Sequence, residues 1–136
     1  MIKVAIPLLH VSNAIAALQF YCTKLGFRPE FAQDSDGSGS LTGPSYTGFS
    51  RDGAWIHLSS FPGNGVAGGV VNVVVDDLDA LLAEFVEKGV AIDSGPMNQT
   101  WGRRREIHVK DTDGNCIRFV SYEPEASGGI GNFATG

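Results

Sequence analysis

His57, His108, Glu106 and Arg118 are the side chains in this sequence best able to do chemistry together. A histidine can act as a general base, and a carboxylate and a guanidinium can orient an acidic substrate beside it. That set would suit a metal-free lyase or isomerase using His57 or His108 as base. Each member also has a plainer explanation. Either histidine could be a hydrogen-bonded interior residue, and Glu106 could simply close an ion pair with Arg104 or Arg118. The run Arg103-Arg104-Arg105 suggests phosphate or nucleic acid when read alone. In a chain of formal charge -5, however, charges alternating across a strand describe an ion-paired or solvated edge better, and nucleic acid is excluded as the expected partner. Cys22 and Cys116 stand far apart with no CxxC spacing and read as two small buried thiols.

Trp101 is harder to assign to a core. It lies in the polar segment Asn98-Gln99-Thr100-Trp101-Gly102, where no helix or strand face accounts for it, and an exposed aromatic beside a glycine is a natural ligand platform. The bulk properties are those of a globular domain. The chain has 136 residues, of which 43% are hydrophobic and 18% charged, so neither a disordered tail nor a coiled coil is expected. Apolar stretches such as 70–75 are too short to span a bilayer, and the N-terminus has no signal-peptide pattern, so a cytoplasmic location and no membrane partner are expected.

The elements that must position these residues come as a repeat. Val11-Ser12-Asn13 and Val75-Asp76-Asp77 each end an apolar run, Val4 to Leu9 and Val70 to Val75, and each opens a helical pattern. The spacing predicts helices over Ala14 to Leu25, with Ile15, Leu18, Tyr21, Cys22 and Leu25 on one face, and over Leu78 to Lys88, with Leu78, Leu81, Leu82, Phe85 and Val86 inward. Asn13 and Asp77 are suited to cap them, and Gly26 and Gly89 to end them. Later, Asp52-Gly53 and Asp113-Gly114 each mark a hairpin. Further strands are expected near 28–33, 46–50, 90–93 and 104–110, with loops at 34–40 and 61–65, the second a hinge between halves. Each half reads as βαβββ. Module one covers 1–60 and module two 68–123 of a single domain, and 124–136 has the composition of a flexible tail.

Paired βαβββ modules with V-S-N and V-D-D helix starts, Leu25-Gly26-Phe27, and an Asp111-x-Asp113-Gly114-Asn115 segment resemble the vicinal oxygen chelate superfamily of glyoxalases, extradiol dioxygenases and antibiotic-resistance proteins. Ser94-Gly95-Pro96, Trp101-Gly102-Arg103 and Gly114-Asn115-Cys116 are similar to the bleomycin-binding members in particular. The resemblance implies an α+β fold in which tandem βαβββ modules form curled half-barrels, in a domain-swapped or paired dimer with ligand clefts between chains. It also implies where the superfamily's enzymes hold their metal. Those positions fall here on Ile6, His57, Val70 and Arg118. Two hydrocarbons, one imidazole and one permanent cation cannot supply the three or four lone-pair donors a divalent ion needs. No resident metal or cofactor is therefore expected, and any metal would arrive already bound to a drug.

Period-two alternation carried outward from those positions gives the ligand-facing set. Trp55, His57, Asn72, Arg104, Glu106, His108 and Arg118 share it, while Ile56, Leu58, Val71, Val73, Ile117 and Phe119 turn toward the helices. The expected function is stoichiometric sequestration of a bleomycin-type glycopeptide without catalysis. Planar rings would stack on Trp101 beside Gly102, and on Phe31 or Trp55; Glu30, Asp34 and Asp36 would receive a cationic tail, and Gly114 would line the site. Pro7, expected within the first strand, cannot donate a ladder bond and suits a strand that crosses to a partner chain.

Overall fold

Asn13 and Asp77 do the same work in two places. Each side chain accepts from the backbone N–H three residues on, Ala16 at 2.9 Å and Ala80 at 3.0 Å, satisfying an otherwise orphaned helix donor. A computed structural model describes residues 1–99 and 104–122 of the chain. Backbone contacts divide it into two units, residues 1–69 with 111–115, and the remaining described residues.

In the first unit, strand β1 (Leu8–His10) leads through Asn13 into helix α1 (Ala14–Leu18), which continues as a wider π-helical segment (Gln19–Lys24). Strands β2 (Arg28–Asp34), β3 (Ser45–Arg51) and β4 (Ala54–Ser59) complete a four-stranded sheet in the order β1-β4-β3-β2. β1 runs parallel to β4 and the other pairs are antiparallel. Asp52 and Gly53 have φ of 50° and 85°, the two left-handed residues that a tight hairpin matched to strand twist requires.

The expected uniform helix over Ala14 to Leu25 is corrected by the π segment. Leu25 donates to the carbonyl of Phe20, five residues back, at 3.0 Å. Ala14, Ala17, Tyr21 and Leu25 are buried, and Ile15 is exposed. Small alanines are what allow the first turns to lie against β3 and β4. The first strand is also shorter than its apolar run. It begins at Leu8, and Pro7 lies just before it, its carbonyl accepting from His57 N at 3.0 Å.

The second unit repeats the plan with β5 (Val70–Val74), helix α2 (Leu78–Glu87), β6 (Ser94–Gln99), β7 (Arg104–Lys110) and β8 (Cys116–Tyr122), in the order β5-β8-β7-β6. Phe85 of α2 meets Phe119 of β8 edge to face at 5.1 Å, over a floor of Ile107, Val109 and Ile117. Val86, expected inward, is exposed. The strand expected near 90–93 begins instead at Ser94. Gly89 ends α2 in the left-handed region and Val90 N bonds back to Phe85 O at 2.9 Å, so the first of these residues closes the helix, while Asp93 N bonds to His108 O at 2.8 Å at the entry to the strand.

The Asp111–Asn115 segment is more than a turn. The Asp111 carboxylate accepts from the backbone N–H of Asp113 and of Asn115, from the Asn115 side-chain amide and from the Tyr21 hydroxyl, all at 2.9 Å. Asn115, fully buried, also donates to His10 O and accepts from Gly69 N. The D-x-D-G-N motif thus ties the end of β1, the π-helical segment and residue 69 through one satisfied polar knot.

Candidate functional site

In the first unit one face of the sheet is aromatic. Register pairs Leu8 with His57, His57 with Gly48, and Gly48 with Phe31, a straight row across four strands. Alternation on β4 sends Ile56 and Leu58 into the core and leaves Trp55 and His57 half-buried on the other face. Tyr46 joins them from β3. Its ring lies parallel to Phe31 at 6.0 Å, and Phe31, Tyr46 and Trp55 each meet His57 edge to face, at 5.3, 5.4 and 6.2 Å. The Tyr46 hydroxyl is 2.9 Å from His57 Nδ1, and burial pushes His57 below its ordinary pKa, so the imidazole is neutral at pH 7.

Gly48 makes this cluster possible. A Cβ there would lie 2.3 Å from Phe31 Cε2 and 2.7 Å from Cζ, so the Phe31 ring occupies the space a side chain would take. Tyr46 and Gly48 are functional candidates that the sequence reading omitted. Alternation on β3 places them on one face, but their partners follow only from strand register.

Glu30 and Asp36 are held differently from the expected open acidic crevice. Glu30 accepts from Ser50 Oγ at 2.6 Å and pairs with Arg28 at 2.8 Å, and these two partners, Ser50 foremost, hold its carboxyl below the usual range. Asp36 caps Ser38 N at 2.9 Å within its own loop, a bond that lowers its carboxyl as well. Gly114 serves the Asp111–Asn115 turn with φ of 80°, and nothing lies within 4 Å of where its Cβ would be. Trp101 and Gly102 lie outside the described residues.

In the second unit the equivalent row is Asn72, Arg118, His108 and Ser94, polar at every position. Glu106, on the same face of β7 as His108, is 2% exposed. Its Oε1 is 2.8 Å from His108 Nε2, and its Oε2 is 3.1 Å from Arg104 Nε. Burial, the largest single influence, pushes the Glu106 carboxyl up. The His108 bond and the positive charges of Arg104, His108 and Arg118 together outweigh it, and the group stays ionised below its ordinary value. Ser94 Oγ lies 3.2 Å from His108 Nδ1, so both ring nitrogens are engaged. The sequence left Glu106 open between two arginines. In the structure Arg104, not Arg118, makes the close pair.

These rows do not fit a divalent metal. Leu8 and Gly48 offer no donor beside His57, and Arg118 brings a fixed positive charge to the corresponding row. Among the described residues, no three His, Cys, Asp or Glu side chains gather as a ligand set.

A search of curated proteins finds no match. Solved structures do match. TnmS3, an antibiotic binding protein from Streptomyces sp. CB03234, is 28% identical with a TM-score of 0.64, over 90% of this chain and 99% of its own. A glyoxalase/bleomycin resistance protein from the same organism is 30% identical with a TM-score of 0.62, over 84% and 96%. TioX from Micromonospora sp. ML1, 18% identical with a TM-score of 0.67 over 87% and 97%, shares the fold. The family profile described as Glyoxalase/Bleomycin resistance protein/Dioxygenase superfamily matches residues 4–119, and this chain, with its repeated βαβββ units and their matching rows, belongs to that superfamily.

Proposed function

We propose that this protein is a non-catalytic binder that sequesters a planar antibiotic, with bleomycin-type glycopeptides the first class to test. The observation that carries the reading is the half-buried aromatic face of Phe31, Tyr46, Trp55 and His57, kept open by Gly48. Aromatic area with a few polar groups to orient a ring system is what a small-molecule binding surface requires. The likeness to an antibiotic binding protein at 28% identity supports the same reading. The ligand cleft is completed by a second copy of the chain, the protein acts in the cytoplasm, and no resident metal takes part.

Intrinsic tryptophan fluorescence tests it. Metal-free and metal-loaded bleomycin should each quench saturably at one site per chain, with the drug recovered chemically intact. Absence of quenching rules out the bleomycin class. Recovery of an altered drug would favour the enzyme reading, for which the His108–Glu106 contact at 2.8 Å offers a base and its partner. Sedimentation at micromolar concentration should give a dimer, and a stable monomer would overturn the shared cleft. Trp101→Ala should weaken binding about tenfold or more without unfolding the domain, as loss of an aromatic hot spot does; unchanged affinity removes Trp101 from the site.

A further inference from the structure

The polar row of the second unit is unevenly satisfied. Among the described residues, Glu106 is the one carboxylate on the face it shares with Arg104, His108 and Arg118, and its two oxygens lie against His108 and Arg104. His108 has both nitrogens engaged, by Glu106 and Ser94. Arg118 is left over. Its Nε is buried and meets no hydrogen-bond partner among the described residues, and no ion pair forms there. A buried guanidinium N–H without an acceptor is costly, and so it marks a position where an acceptor from outside would be bound strongly. Asn72, exposed on the edge strand β5 and directly opposite Arg118 in the register, adds a neutral amide beside it. Among the described residues, two guanidinium groups, Arg104 and Arg118, face the one Glu106 carboxylate, and that face carries a net positive charge.

From this geometry we infer that the Asn72–Arg118 edge of the second sheet is an oxyanion subsite, which takes a carboxylate or an ionised phenol. The inference goes beyond the binding function proposed above, which rests on the aromatic face of the first unit. An arginine fork presents parallel N–H donors that match a carboxylate, and charge-assisted bonds of this kind are about twice as strong as neutral ones. The acidic groups expected to attract a cation, Glu30 and Asp36, are bonded to their own neighbours.

The test uses three probes with one ring system: phenanthrene-9-carboxylate, phenanthrene-9-carboxamide and 9-(aminomethyl)phenanthrene, titrated calorimetrically into the full chain at pH 7. The carboxylate should bind about tenfold or more tighter than the cation, with the amide between them. Arg118→Met should bring carboxylate and amide within about twofold of each other while changing amide affinity little. If methionine unfolds the sheet, Arg118→Lys carries the test, since it keeps the charge but loses the fork, and should lose most of the preference. Equal binding of carboxylate and cation, or a preference that survives both variants, overturns the subsite while leaving the binding function standing. Failure of all three probes to bind overturns the binding function, and the subsite with it.

Discussion

Gly48→Ala separates binding from folding more cleanly than any other change on the aromatic face. The added methyl would sit 2.3 Å from Phe31 Cε2, 2.7 Å from Cζ and 3.0 Å from Cδ2. Carbon atoms need about 3.5–4.0 Å, so the ring must move by more than about 1 Å. What moves is the far end of a half-buried side chain, which can swing toward solvent without disturbing β3. Phe31 then gives up its contacts with Tyr46 and His57, each on the order of 0.5–1.5 kcal/mol. Replacing glycine in an extended strand returns about 0.5–1 kcal/mol, and Gly48 is not among the positive-φ glycines. The net loss of stability therefore lies between about 0 and 2.5 kcal/mol, and thermal unfolding should shift by at most about 10 °C. A ligand ring that stacks on Phe31 loses one aromatic partner, about 0.5–1.5 kcal/mol or roughly 2- to 13-fold in Kd. Calorimetric titration of phenanthrene-9-carboxamide alongside a melting curve reads both quantities. Phe31→Leu should produce the same loss, and the double variant no further loss, because both act through one ring. Unchanged affinity in Gly48→Ala, or additive losses in the double variant, would refute the account of Gly48 as the space Phe31 needs.

Asp111→Ala should lower stability by at least about 3 kcal/mol in urea unfolding, because four donors, among them the buried Tyr21 hydroxyl, lose their acceptor together; a loss under about 1 kcal/mol would show that the knot is not cooperative. Glu106 gives a pH signature of defined sign. Its folded-state pKa lies below the ordinary 4.5, so its stabilising contribution is complete above that value and disappears as pH falls through the lower, folded one. The stability gap between wild type and Glu106→Gln should accordingly be constant from pH 7 to 5 and shrink below about pH 4, and a gap that persists unchanged to pH 3 would contradict the ion pairing.

What could be read from the sequence was whatever depends on near neighbours. Asn13 and Asp77 cap their helices because a cap needs only the next three residues. Trp55 and His57 face away from Ile56 and Leu58 because alternation is a property of one strand. What escaped depends on partners brought together from a distance. The Tyr21–Asp111 bond joins residues ninety positions apart, and the π-helical turn that orients Tyr21 has no periodic signal of its own. The register of β2 shifts between Pro29 and Phe31, so alternation along that strand alone could not have set Phe31 opposite Gly48.

The same limit explains why the duplicated plan does not imply a duplicated site. The row Leu8, His57, Gly48, Phe31 and the row Asn72, Arg118, His108, Ser94 occupy corresponding strands with the same parallel and antiparallel pairing. In the first, a glycine lets an aromatic ring lie across the sheet, and His57 is kept neutral by burial. In the second, a buried carboxylate binds one arginine and one histidine, while Arg118 Nε meets no hydrogen-bond partner among the described residues. Backbone repetition fixes where side chains stand, and cross-strand pairing decides which of them remain available to a ligand. That availability differs between the rows, so one face is fitted for stacking and the other for an oxyanion.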